Sequence, residues 1–222
     1  MPKVIRGHQT EVPNYTKRGI FIAFEGGEGS GKSTQTSILK SWFEDHGRTV
    51  TLTREPGGTE LGKQLRHFLL DLSTHEVAPK TEVLLFAADR SEHISKVILP
   101  ALRHREVVIS DRYIDSFIAY EKGGRNFFGG DMLDLARWAT DGVIPDLTVV
   151  MDIPPKVGLT RCGEFDRMES QPLDFHERVR ATFLELASAH AHRYLVVDAD
   201  QPSEKIAETI QKRCEIFIAP QS

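Results

Sequence analysis

The sequence predicts an α/β fold, a five-stranded parallel sheet flanked by helices, and two observations carry that expectation. Five short apolar, β-rich runs recur at residues 19–25, 49–53, 107–110, 147–151 and 194–197, with helical patterns between them. Such alternation makes a parallel sheet. The segment Gly26-Gly27-Glu28-Gly29-Ser30-Gly31-Lys32-Ser33 also fits GxxxxGK(S/T), between the first run and a helix-like stretch, the strand–loop–helix setting that a phosphate-binding loop requires.

The first run, Gly19-Ile20-Phe21-Ile22-Ala23-Phe24-Glu25, reads as a buried strand, and residues 33–46 hold no Gly or Pro until Gly47, which ends the predicted first helix. After the second run, Leu61, Leu65, Phe68, Leu69 and Leu72 share the spacing of one helix face. A further helix starts after Pro79. Near the C-terminus Ile206, Ile210, Cys214 and Phe217 repeat the helical spacing with Pro202 in the first turn, which makes Cys214 a core residue. Loops at 55–58, 122–130 and 162–172 interrupt the pattern, and they matter because open parallel sheets bind ligands at the carboxyl ends of their strands. Residues 1–18 mix charge, Pro13 and Asn14 without period and read as a flexible extension before a single domain spanning 19–222.

Composition excludes several function classes. With 28 Lys and Arg against 32 Asp and Glu the net charge is −4, which offers no global attraction to nucleic acid or anionic membrane, so any anion site is local. No apolar run approaches the ~20 residues of a membrane span, and no secretory segment opens the chain. Two distant cysteines, Cys162 and Cys214, suit a reducing cytoplasm. The nine histidines form no HExxH, His190 and His192 are too close for a helical metal pair, and there is no GxSxG.

The glycine loop is the strongest chemical signal. Its glycines let backbone N–H groups point inward, Lys32 reaches terminal phosphates, and the Ser33 hydroxyl is placed for Mg²⁺, so the expected guest is a nucleoside triphosphate. Val107-Val108-Ile109-Ser110 ends in Asp111, a carboxylate for the phosphate-bound Mg²⁺ or a helix N-cap, two roles that coexist. Arg54, Arg66, Arg90 and Arg112 stand near strand and helix ends, which makes a second anion site the better reading than four solvated side chains. Phe86 and Tyr120 either stack on a base or pack in the core. Residues 161–172 carry Arg161, Glu164, Asp166, Arg167 and Glu169 without an apolar face, a mobile lid or a solvated loop; as a lid, it brings Arg167 to the transferring phosphoryl group.

Four segments then carry a resemblance: residues 24–34, Thr53-Arg54-Glu55-Pro56-Gly57-Gly58-Thr59, Asp111-Arg112-Tyr113 with Ala119-Tyr120, and Pro145-Asp146-Leu147-Thr148. On these the chain resembles bacterial thymidylate kinases over nearly all its length after residue 18. The resemblance implies a sheet of the P-loop nucleoside-monophosphate-kinase type, transfer of the γ-phosphoryl group of ATP to dTMP with Mg²⁺, and a cytoplasmic homodimer. It assigns ATP to residues Gly26 to Thr34. It assigns dTMP to Arg54, Glu55, Arg66, Phe86, Arg90, Arg112, Tyr120 and Glu121, with Phe86 on the base, Arg90 on a base carbonyl and Glu55 and Tyr120 near the sugar. Lys32, Arg112 and Arg167 become the catalytic cations, and Ser33 and Asp111 the metal shell. Glu28 stands where some relatives carry a loop arginine, which leaves Arg167 first and Arg161 second as suppliers of that charge from the lid.

The chain departs from the pattern at Phe117, usually small and polar, and at Glu121, usually glutamine, so the resemblance carries phosphoryl transfer further than thymine selectivity. Two other readings stand beside it: a nucleoside or nucleotide kinase of relaxed base choice, and a nucleotide-switch ATPase. Against the second, no NKxD motif is present.

Overall fold

The computed structural model describes residues 18–71, 77–124, 130–163 and 167–218. The extension expected at 1–18 therefore lies, apart from Arg18, outside the described residues, as do Leu72, Glu164 and Asp166.

Five strands form one parallel sheet: β1 (Ile20–Glu25), β2 (Val50–Arg54), β3 (Val107–Asp111), β4 (Leu147–Asp152) and β5 (Tyr194–Asp198), in the order β2-β3-β1-β4-β5. Every residue of β1 is buried because helices cover both faces of this central strand. Ile20, Ile22 and Phe24 face a core completed by Leu39 and Phe43 of α1 (Lys32–Asp45) and by Ile206, Ile210 and Cys214 of α9 (Ser203–Cys214). Phe21 and Ala23 face the other side, against Ile94, Ile98, Ala101 and Tyr113. Truncating a side chain as enclosed as Phe43, 0% exposed, costs about 3–5 kcal/mol.

The C-terminal stripe is as expected, with Cys214 and Phe217 in the core, although Pro202 sits one residue ahead of the helix, as its N-cap. The helix expected after Pro79 runs as α3 (Pro79–His93), passes through a π turn at Ile94–Ile98 and continues as α4 (Leu99–Arg103). A second π turn, Ala119–Gly124, follows α5 (Ile114–Ile118); such turns re-aim side chains and recur at functional sites. The remaining helices are α2 (Glu60–Leu70), α6 (Gly130–Ala139), α7 (Pro155–Thr160) and α8 (Leu173–Ala189).

The apolar face expected on α2 is not a core face. Leu61 and Phe68 are exposed, and Gly62 and Leu69 are the buried positions. α2 packs on α3 with Gly62 close against Asp89, its N-terminus capped by Thr59, which accepts from Gly62 N at 2.9 Å; of the described residues of the stripe only Leu69 is fully buried, and Leu65 is partly so.

Register brings Phe24 beside Asp111 and Arg54 beside Asp111 on its other side. The carboxyl ends of β1, β2 and β3 thus open at one edge, where the site lies.

Candidate active site

The glycine loop leaves β1 with Gly29 and Gly31 at φ of 64° and 82°, a left-handed backbone that lets its N–H groups converge. α1 begins at Lys32 and has no acidic side chain in its first turn, so its positive end faces the loop unneutralised. Gly158 of α7 packs against the loop from outside. A Cβ there would stand 2.3 Å from Glu28 O, and a Cβ on Gly29 would stand 1.9 Å from Gly158 O.

Lys32 Nζ donates to Gly26 O at 3.1 Å, Gly27 O at 2.8 Å and Ser30 Oγ at 3.2 Å. The side chain is 8% exposed. Burial first, then the Arg112 charge, bring its pKa down to about 8. Ser33 Oγ donates to Asp111 Oδ2 at 2.8 Å, so the hydroxyl and the carboxylate expected to share a metal meet where the start of α1 faces the end of β3.

Arg112 follows β3 at φ 70°, a conformation that costs a non-glycine residue about 1–3 kcal/mol. Its N–H donates to Phe24 O at 2.8 Å, and its carbonyl accepts from Ser110 Oγ at 2.7 Å. Held this way, its Nη2 donates to both oxygens of Glu28 at 2.8 Å, and its Nη1 donates to Gly26 O and Ser116 Oγ, each at 3.1 Å. The Tyr120 hydroxyl donates to Glu28 Oε1, and the guanidinium carbon lies 5.3 Å from the Tyr120 ring centre. Burial pushes the Glu28 pKa up, but Arg112, Lys32 and the Tyr120 hydroxyl outweigh it and hold it at about 2.

A layer deeper, Glu25 accepts from Tyr113 N at 2.9 Å, Ser116 N at 3.2 Å and Ser116 Oγ at 2.5 Å. Burial, and then the neighbouring Asp115, push its pKa up. Glu25 therefore fixes the start of α5 directly behind Arg112.

Two cavities open from this corner. One, of about 510 Å³, is lined by Glu28 to Thr34 with Arg54, Asp111 and Arg161. The other, of about 150 Å³, is lined by Phe86, Arg90, Phe117, Tyr120, Glu121 and Met168 among others. They share Glu28, Glu55, Arg66, Arg112 and Glu169. In the smaller one Arg90, 3% exposed, donates from Nε to Glu55 Oε2 at 2.8 Å and lies with its guanidinium carbon 5.1 Å from the Phe117 ring centre. Among the described residues its buried Nη1 has no hydrogen-bond partner, a donor left for a ligand. Glu55 also meets His93 Nδ1 at 2.9 Å. Burial opposes its ionisation, but Arg90 and His93 hold its pKa below the usual carboxylate range. Arg66 Nη1 donates to Pro56 O at 3.0 Å, which sets it at the mouth shared by both cavities.

The structure brings together every site residue named from the sequence except Gly26 and Gly27, which serve as loop backbone beside the cavities, and Arg167, which lines neither. Arg167 is turned toward Glu82 and the end of α2, because a buried carboxylate and open helix-end carbonyls there bind its guanidinium. Arg161, the second choice, lines the phosphate cavity; its Nη1 donates to Ala199 O at 3.1 Å and its Nη2 to Asp200 Oδ1 at 2.5 Å. Sequence reasoning missed Ser116, His93, Glu169 as a lining residue of both cavities, and Gly158. His93 had a signal, standing one helical turn after Arg90; Gly158 had none.

Residues 24–210 match the family model described as "Thymidylate kinase". The chain is 48% identical over 205 residues to a thymidylate kinase of Clavibacter michiganensis, covering 90% of this chain and 97% of that one. It is 43% identical over 195 residues to a thymidylate kinase of Cutibacterium acnes, covering 88% and 96%. The crystal structure of thymidylate kinase from Ehrlichia chaffeensis superposes with a TM-score of 0.74 at 32% identity, over 88% of this chain and 98% of that one. The chain belongs to the thymidylate kinase family. Membership removes the nucleotide-switch ATPase reading. No described helix is long and apolar enough to cross a membrane.

Proposed function

We propose that the larger cavity holds the phosphates of ATP and the smaller one dTMP, so that the γ-phosphoryl group moves across the rim lined by Glu28, Arg66 and Arg112. That the chain is a dTMP kinase follows from its family; the division of labour among residues is the proposal. The observation that carries it is the junction itself, where Arg112 and Arg66 border both cavities. An oxygen of the dTMP phosphate attacks the γ-phosphorus, the bond to the β,γ-bridging oxygen breaks, and ADP leaves with that electron pair. The acceptor is already an anion, so no general base is needed and the work is positioning and charge stabilisation.

In this reading Lys32 exchanges loop carbonyls for phosphate oxygens, and Arg112 spans donor and acceptor phosphates. Arg161 supplies the lid charge in place of Arg167. Ser33 and Asp111 fit Mg²⁺, since a hydroxyl and a carboxylate oxygen 2.8 Å apart are the hard donors it takes, the rest coming from nucleotide and water. A metal held by Ser33 and Asp111 would neutralise charge on the transferring group. Arg90 Nη1 is the donor for a base carbonyl, Phe86 and Phe117 enclose the ring, and Glu55 and Tyr120 lie near the sugar. Two free cysteines suit a reaction in the reducing cytoplasm.

A homodimer is part of the proposal. Leu61 and Phe68 on α2, Leu84 on α3 and Trp138 on α6 are large, apolar and exposed, Trp138 at 76%, and α3 packs against both α2 and α6. Such a grouping marks a surface that a second copy covers. The decisive experiment follows ADP release across dTMP, dUMP, dCMP and thymidine. Release dependent on dTMP is expected; release that ignores the acceptor would refute the assignment of the smaller cavity.

A further inference from the structure

The lid arginine first expected at the transferring phosphate is engaged elsewhere, and its contacts describe a different task. The Arg167 N–H donates to Leu70 O at 3.1 Å and its Nε to Leu69 O at 2.7 Å. Its guanidinium forks onto Glu82, with Nη1 at 3.3 Å from Oε2 and Nη2 paired with Oε1. Leu69 and Leu70 are the last residues of α2, whose carbonyls have no helical partner, and Glu82 stands in the first turn of α3. One residue therefore ties the segment after residue 166 to the end of α2 and to the first turn of α3.

The tie is directional. Glu82 is 1% exposed and Arg167 25%, so the carboxylate is set in the protein wall and the cation reaches it from the outer side. A buried carboxylate deprived of its partner is strongly disfavoured. The two residues after Arg167 carry the consequence: Met168 lines the smaller cavity, and Glu169 lines both. Leu70, gripped through its carbonyl, lines the smaller cavity as well. Along α3 from Glu82, the positions 86, 89, 90 and 93 fall on the same side at helical spacing, and Phe86, Asp89 and Arg90 line that cavity. The helix that receives Arg167 is thus the helix that presents the base-facing side chains.

We propose that Arg167 and Glu82 form a latch that holds Met168 and Glu169 in the wall of the acceptor cavity, so that acceptor affinity depends on the latch. Arg167 is on this account a positioning residue and touches no phosphate. The proposal rests on the smaller cavity being the dTMP site. Coupling of this kind is reciprocal: the intact latch raises acceptor affinity, and bound acceptor stabilises the latch.

The test is steady-state kinetics of the full chain and of Arg167→Ala, Arg167→Lys, Glu82→Gln and the double variant Arg167→Ala/Glu82→Gln, varying each nucleotide at saturation of the other. The latch predicts a KM for dTMP raised about tenfold or more in Arg167→Ala and Glu82→Gln, a KM for ATP within about twofold, and a double variant no worse than the worse single one. Arg167→Lys keeps the charge but not the fork and falls between. It also keeps the test open should Arg167→Ala fail to fold. A loss of kcat by about a thousandfold at unchanged dTMP KM would put Arg167 on the transferring phosphate and overturn the latch. Effects that add in the double variant, or an unmoved dTMP KM, would overturn it equally. Absence of dTMP turnover in the unaltered chain would instead remove the acceptor-site reading beneath it.

Discussion

Gly158→Ala puts one methyl group behind the phosphate loop, and its effect can be worked from the geometry. The new carbon would sit 2.3 Å from Glu28 O and 3.2 Å from Ile153 Cγ2, the first more than about 1 Å inside ordinary contact. The obstacle is backbone, so no side chain can swing aside, and the loop must move outward by about that 1 Å. Overpacking costs about 1–3 kcal/mol, while alanine in a helix returns about 1 kcal/mol over glycine, so the net destabilisation is about 0–2 kcal/mol. Function suffers more, because a misplacement near 1 Å costs about a hundredfold in a positioned reaction. The expected result is a melting temperature lowered by a few degrees, kcat/KM for ATP down about a hundredfold, and dTMP binding by calorimetry nearly unchanged. Gly163→Ala is the control, since a Cβ there meets nothing within 4 Å. Turnover within twofold of the unaltered enzyme would refute the claim that α7 braces the phosphate nest.

Three shorter predictions accompany it. Arg112→Lys removes the fork that spans Glu28, Gly26 O and Ser116 and should lower kcat by about 10²–10³; a loss under about threefold would deny Arg112 a part in the transition state. Because Lys32 is held at about 8 against an ordinary 10.5, ATP binding at pH 8 should take up roughly half a proton and at pH 6 almost none, read by calorimetry in buffers of different ionisation enthalpy. The same depression makes the unfolded chain bind more protons between about 8 and 10.5, so Lys32 makes stability rise with pH across that window, and Lys32→Met should remove both effects. Trp138→Glu should convert a dimer to a monomer at micromolar concentration in sedimentation velocity; an unchanged mass would move the interface elsewhere.

The strands, the phosphate loop, the first helix and the C-terminal helix were all legible from the chain, to within about a residue or two, because each depends on patterns a few residues long. β1 is apolar throughout since helices cover both of its faces, and Gly31 precedes Lys32 since the turn into α1 needs a left-handed residue. The arginines at 54, 66, 90 and 112 were readable as a group from their places at strand and helix ends, and they line the two joined cavities. Tertiary structure alone decided the rest. That Arg161 and not Arg167 lines the cavity at the glycine loop goes with the pairing of Arg167 to Glu82, 85 residues away in sequence, and no local pattern encodes that distance. The leucine stripe of α2 has the period of a buried face, yet Leu61 and Phe68 are exposed, because periodicity states that a helix has an apolar side and not what lies against it. Gly158 follows the same logic: its sequence neighbours show a short helix, and only the fold carries the phosphate loop to within contact of it.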